Sequence, residues 1–235
     1  MNFWIFLIVV IAVAVLLCFL LAIANHSGEK FMDQYKQMNN IQAETNFSPI
    51  DFINFIHQKY FKTKLEIVQI SNIAGDAYSK KKLFLSGDTL YKKTLASYTV
   101  IAHEMGHALQ DEQGKKLKRL NFLRKLGKAL GTFLSPCLVG GIILMLFDNL
   151  FIIGVSLVAF AVLIFILALI IKLATISIEK DASEKALDFL NEILDEHQVK
   201  KCKKLLSDAR LTYWGEFLRI ILFWTGASKK GKLFN

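Results

Sequence analysis

Tyr98-Thr99-Val100-Ile101-Ala102-His103-Glu104-Met105-Gly106-His107-Ala108-Leu109-Gln110 is the stretch from which the rest of the chain can be read. A helical pattern from about Asp88 through Gln110, with Gly114 as a natural stop, sets His103 and His107 four apart on one helical face. Both imidazoles can then reach a single metal ion. Glu104 points alongside them, where it can take a proton from a metal-activated water. With 5 histidines in 235 residues, a chance HExxH is an event on the order of 1 in 200, so the spacing points to zinc. Val100-Ile101-Ala102 and the small Gly106 and Ala108 suit a helix packed tightly against a sheet.

A catalytic zinc usually takes three protein ligands and keeps one position open for water. The extended pattern HExxHxxGxxH fails here, because Gln110 and Gln113 stand where the glycine and third histidine would be. The third ligand therefore comes from elsewhere. Glu179, Asp181, Glu184, Asp188 and His197 are the candidates, all beyond a long apolar region. Glu179 is expected to open a new amphipathic helix just past that region. Glu184, Asp188 and His197 sit in a Lys/Glu/Asp-rich helix, where a solvated surface is the competing reading.

Working outward toward the N-terminus, Ser48-Pro49-Ile50-Asp51 reads as a helix start. Ser supplies the N-cap, Pro the first helical position and Asp a charge for the positive end. Ile50, Ile53, Ile56 and Tyr60 recur near helical period, carrying that helix to about residue 60. Residues 65–70 and 82–86 are β-prone runs, joined by the turn-rich Gly75-Asp76-Ala77-Tyr78-Ser79. Residues 25–131 are thus expected to form a small α+β segment carrying the HExxH helix.

The composition is 54% hydrophobic with formal charge +9, and the mean hydropathy is +0.40. Disordered, collagen-like, proline-rich and disulfide-stapled classes are excluded. Greasy runs separated by basic segments are the arithmetic of an integral membrane protein. Residues 3–24 are uncharged and long enough to cross a roughly 30 Å hydrocarbon core. Ala22-Ile23-Ala24 resembles a cleavage site, but no Lys or Arg precedes the run, so an anchor is expected at 1–24. Residues 132–172 read as a transmembrane hairpin turning at Asp148-Asn149, its first arm holding Pro136 and Gly140-Gly141. Residues 173–235 read as a helical segment. Within it, 211–224, with Trp214 and Trp224 around Glu216 and Arg219, suggests a helix lying in the interface.

The lysines give the orientation. Lys115, Lys116, Lys118, Arg119, Arg124, Lys125 and Lys128 cluster just before the hairpin, and the turn at 148–149 has none. By the positive-inside rule the N-terminus is outside, and residues 25–131 and 173–235 are cytoplasmic. The basic excess then meets anionic membrane lipid. No groove-reading or aromatic-interleaved motif accompanies it, so no nucleic-acid partner is expected. Cys18 and Cys137 lie in apolar runs and Cys202 in a lysine-rich stretch, which suggests neither a disulfide nor a cysteine zinc site.

Residues 98–114 resemble the signature of the bacterial YugP-type neutral zinc metallopeptidases, membrane proteins related to the gluzincin superfamily. Lys82-Leu83-Phe84-Leu85-Ser86 resembles the strand before the family's metal helix. Ile178-Glu179-Lys180-Asp181-Ala182-Ser183-Glu184-Lys185-Ala186-Leu187 resembles its segment after the hairpin, and Ala209-Arg210-Leu211-Thr212-Tyr213 a fourth block. The resemblance covers most of residues 60–215. It implies a membrane-anchored gluzincin-like α+β fold with about three transmembrane helices. It also implies one Zn2+ held by His103, His107 and Glu179, with Glu104 as general base. Ser183, four residues after the glutamate ligand, stands where gluzincins place a side chain that orients a histidine. Lys185 replaces the family's usual arginine, and Ser79-Lys80 replaces its Asp-Pro turn.

The implied activity is hydrolysis of protein or peptide substrates, membrane proteins among them, at the cytoplasmic face of the cell membrane. The strand at 83–86 is expected to receive an extended substrate by edge pairing. Tyr213 or Tyr78 is a candidate donor to the oxyanion. Cleavage within the bilayer is disfavoured, since Asp111, Glu112 and the lysine cluster follow the HExxH helix. The reading from another class is a non-proteolytic membrane scaffold that binds partners or anionic lipid through its basic face. It leaves Glu104 without a use.

Overall fold

A computed structural model describes residues 3–71, 75–114 and 116–221. The expected interfacial helix therefore lies partly outside the described residues, Trp224 included. The chain forms α1 (Phe3–Asn39), α2 (Pro49–Tyr60), β1 (Glu66–Ile70), β2 (Ala77–Ser79), β3 (Lys82–Ser86), α3 (Gly87–Tyr91) and α4 (Leu95–Glu112). α5 (Lys116–Leu144), a 3-10 turn at Asp148–Leu150, α6 (Phe151–Asn191) and α7 (Glu196–Ile221) follow. It is mostly helical with one small sheet, an α+β arrangement. Two compact units emerge, one of residues 3–29, 124–173 and 211–221, the other of 30–123 and 174–210.

The second unit has the larger core. Phe52, Ile53 and Ile56 of α2, Leu83 and Leu85 of β3, Tyr98, Ile101 and Met105 of α4, and Phe189, Cys202 and Leu205 are all buried in it. α2 begins as its sequence dictates. The Ser48 hydroxyl accepts from the Asp51 N–H at 3.1 Å, and the Asp51 carboxylate returns the bond to the Ser48 N–H at 3.2 Å.

The sheet has the order β1-β3-β2, with β1 parallel and β2 antiparallel to β3. This corrects two expectations. The link at 75–79 contains a strand, Ala77–Ser79. It returns into β3 through Lys80 and Lys81, both at positive φ (49° and 65°), a two-residue hairpin connection without the usual glycine or asparagine. The expected substrate-receiving strand, β3, is flanked on both sides, so the outer edges belong to β1 and β2.

The helix expected from Asp88 onward is two helices. Residues 41–43 pair against 93–95, with Ala43 N–H on Lys93 O and Leu95 N–H on Ile41 O, both at 2.9 Å. That pairing pulls the backbone out of helix. α4 then restarts with Thr94 as its cap, the hydroxyl accepting from Ser97 N–H at 3.2 Å.

Nor does Glu179 open a new helix, because α6 runs unbroken from Phe151 to Asn191. The reason is compositional: no Gly or Pro stands between Val155 and Asn191 to stop it. Among the described residues, the helical segments Lys118–Leu144 and Asp148–Asn191 are long and apolar enough to cross a membrane. In their unit a small cluster of Leu134, Ala161 and Ile164 is buried. α5 continues through Pro136. α5 and α6 pack backbone to backbone where a Cβ on Gly154 would stand 2.6 Å from Gly141 O.

Candidate metal centre

The site is built where α4 crosses α6 within the larger unit. The contact is set by Gly106, the fourth residue of the HExxH run. A Cβ there would lie closer than any van der Waals contact to the Ala182 carbonyl oxygen, and 3.3 Å from Ala182 Cα. Only a hydrogen side chain permits this approach. Gly106 therefore packs against α6, not against the sheet as its size suggested. The approach brings Glu179, one turn before Ala182, over the two imidazoles.

His103, His107 and Glu179 are buried and offer one ligand atom each, all within 4.8 Å of one another. Glu179 Oε2 stands 3.5 Å from His103 Nε2 and 3.2 Å from His107 Nε2. A direct charge-assisted hydrogen bond would be nearer about 2.8 Å. Ligands at zinc bond lengths around a tetrahedron are separated by roughly 3.3 Å. The donor set, two imidazole nitrogens and a carboxylate oxygen, is the one zinc takes in hydrolytic sites. The residues fit the ion.

Glu104 is buried, and its Oε2 accepts the main-chain N–H of Tyr78, on edge strand β2, at 2.7 Å. Burial pushes its carboxyl above the ordinary carboxylate range, against the opposing pull of His107, His103 and that N–H. For His107, burial disfavours the charged ring. The charge of the Glu179 carboxylate overcomes this, and the ring is lifted to about 9.

Of the five candidates for third ligand, only Glu179 joins the histidines. Glu184 is exposed and pairs with Lys180 at 3.6 Å, and Asp188 and His197 are exposed on the surface. Asp181 bonds elsewhere, accepting from Gln110 Nε2 at 2.7 Å and pairing with Lys185 at 2.8 Å. Ser183 is buried but donates to Glu179 O at 2.9 Å along its own helix, instead of orienting a histidine.

The histidine partner is Gln110, whose Oε1 lies 3.0 Å from His107 Nδ1. From the sequence alone Gln110 reads only as a departure from the longer histidine pattern. Its position three residues after His107, on the same helical face, was the signal available. Tyr78 contributes through its backbone. Its hydroxyl donates to Asp111 Oδ2 at 2.9 Å, a proton thereby withheld from an oxyanion. Tyr213 belongs to the smaller unit, where Lys172 Nζ lies 5.1 Å from its ring centroid.

The arrangement can hold one divalent cation on three buried ligands and keep a second buried carboxylate, Glu104, beside it. A family model described as "Putative neutral zinc metallopeptidase" matches residues 7–224. No curated protein and no solved structure matches the chain. With the match spanning nearly its whole length, the chain belongs to this neutral zinc metallopeptidase family.

Proposed function

We propose that the protein is a zinc-dependent endopeptidase that hydrolyses peptide bonds at the cytoplasmic face of a membrane, with Glu104 as general base. One observation carries the reading: the buried His103–His107–Glu179 triad has a second buried carboxylate, Glu104, beside it on the helix of the two histidines. A structural site has no use for that group. When bound, zinc supplies the Lewis acidity that makes water nucleophilic near neutral pH and polarises a carbonyl.

The chain's own residues do the rest. Glu104, steered by the Tyr78 N–H, accepts the proton of the attacking water and delivers it to the leaving amine. β2, whose Tyr78 meets Glu104, is the strand edge suited to an extended substrate, read through its backbone. The oxyanion calls for a further donor.

The membrane part of the proposal is supported by the two long apolar helices and by their surface. Ile152, Val155, Phe160, Leu163, Ile166 and Ile170 are exposed on α6, which favours lipid over water as their surroundings. The lysine-rich flanks favour a cytoplasmic site in a multi-pass bacterial protein lying against anionic lipid.

Digestion of an unfolded casein-type protein by purified, zinc-loaded protein in detergent tests the reading. Glu104→Gln is expected to lower the rate at least about 100-fold while keeping its zinc. Full activity in that variant overturns the mechanism. A wild type that digests nothing favours the scaffold.

A further inference from the structure

The orientation of the Gln110 side chain is dictated by its neighbours. Its Nε2 lies 2.8 Å from the Ile178 carbonyl oxygen and 2.7 Å from Asp181 Oδ2. Both partners are acceptors, and only the NH2 end of an amide carries two donors, so the group cannot be reversed. Oε1 therefore faces His107 Nδ1, and an acceptor there requires the proton to sit on Nδ1. The lone pair of the neutral ring is then on Nε2, the atom 3.2 Å from Glu179 Oε2.

Ile178 and Asp181 flank Glu179 on α6, so this one amide joins the second ligand's ring to the third ligand's helix. Asp181 is in turn held by Lys185, whose side chain is only 16% exposed. Gln110 itself is fully buried, so water does not reach its amide to replace the partners it would lose.

We propose that Gln110, held by Asp181 and Lys185, is a positioning residue for the metal centre. It locks His107 in its Nδ1–H form and sets α4 against α6, so that His107 Nε2 and Glu179 converge on one cation. The proposal deepens the zinc reading above, but it depends on cation binding and not on peptide cleavage. The lysine in place of an arginine at 185 gains a role here. A single ammonium suffices to fix one carboxylate oxygen, so no forked donor is needed.

The test is zinc affinity of the full chain in detergent, by competition with a chromogenic chelator, together with the absorption spectrum of the Co2+-loaded protein. Gln110→Met keeps the volume and removes the acceptor. It is expected to weaken zinc about 10- to 100-fold and to alter the cobalt bands. Gln110→Glu places a carboxylate against Ile178 O and Asp181, and is expected to lose at least as much. Lys185→Met, farther out, is expected to lose less while shifting the same bands.

A role confined to packing would lower the unfolding temperature of Gln110→Met and leave affinity and spectrum alone, which overturns the proposal. Should Gln110→Met fail to fold, unchanged zinc affinity in both Asp181→Ala and Lys185→Met overturns it equally. A wild type that loads zinc but cleaves no peptide removes the peptidase reading and leaves this one standing.

Discussion

Gly106 on α4 meets Ala182 on α6, and Gly141 on α5 meets Gly154 farther along the same helix. Each crossing relies on a glycine to bring two helix backbones into contact, yet their surroundings differ. Around Gly106 lie buried polar groups, all bonded across the crossing or converging on a cation site: His103, His107, Gln110 and Glu179. Around Gly141 and Gly154 the neighbours are apolar and many face outward, as Ile152, Ile153 and Ile143 do. Close approach through small residues is how helices associate when the solvent is lipid. The polar crossing adds directional bonds, and with them a chemical purpose.

Alanine at each glycine is the sharpest way to separate the two. Gly106→Ala and Gly154→Ala should each cost about 2–3 kcal/mol, the upper range for inserting a methyl where backbone must move. Unfolding temperature measures it. Only Gly106→Ala should also lose zinc, because the added methyl displaces Ala182 and hence Glu179. Zinc loss in both variants would erase the distinction.

Buried polar bonding gives the next effect. Asp76 is buried, its carboxylate accepting from Ser86 N–H and the Thr89 hydroxyl, each at 2.5 Å. Asp76→Ala strands both donors and should cost about 2 kcal/mol in chemical denaturation. Thr94→Ala, which removes the α4 cap, should cost about 1 kcal/mol. In the apolar unit, Ser156 is exposed and merely back-bonds to Ile152 O at 2.9 Å. Ser156→Ala should stay within about 0.5 kcal/mol of wild type. A larger loss there would mean that polar contacts matter equally in both units.

What the sequence disclosed follows the range of the forces involved. The Ser48 cap and the His103–His107 pair depend on residues three or four apart, and both stand where their spacing put them. The break before Leu95 depends on residues 41–43, some fifty positions away, so a continuous helix was the natural expectation. β2 is three residues long and turns on two lysines in left-handed backbone, which no turn signal announces. Gln110 was in plain view as a residue, but its meaning required Ile178 and Asp181 beside it. Position narrows the five candidates toward Glu179, and the resemblance singles it out. The Gly106–Ala182 contact explains physically why Glu179, and none of the other four candidates, reaches the rings.

The central claim is that His103, His107 and Glu179 together hold one zinc ion. Zinc content after dialysis against trace metal, measured on detergent-purified wild type, Glu179→Ala and the exposed control Glu184→Ala, tests it most directly. We predict one zinc per chain in wild type and in Glu184→Ala, and almost none in Glu179→Ala. A full complement of zinc in Glu179→Ala would contradict the account.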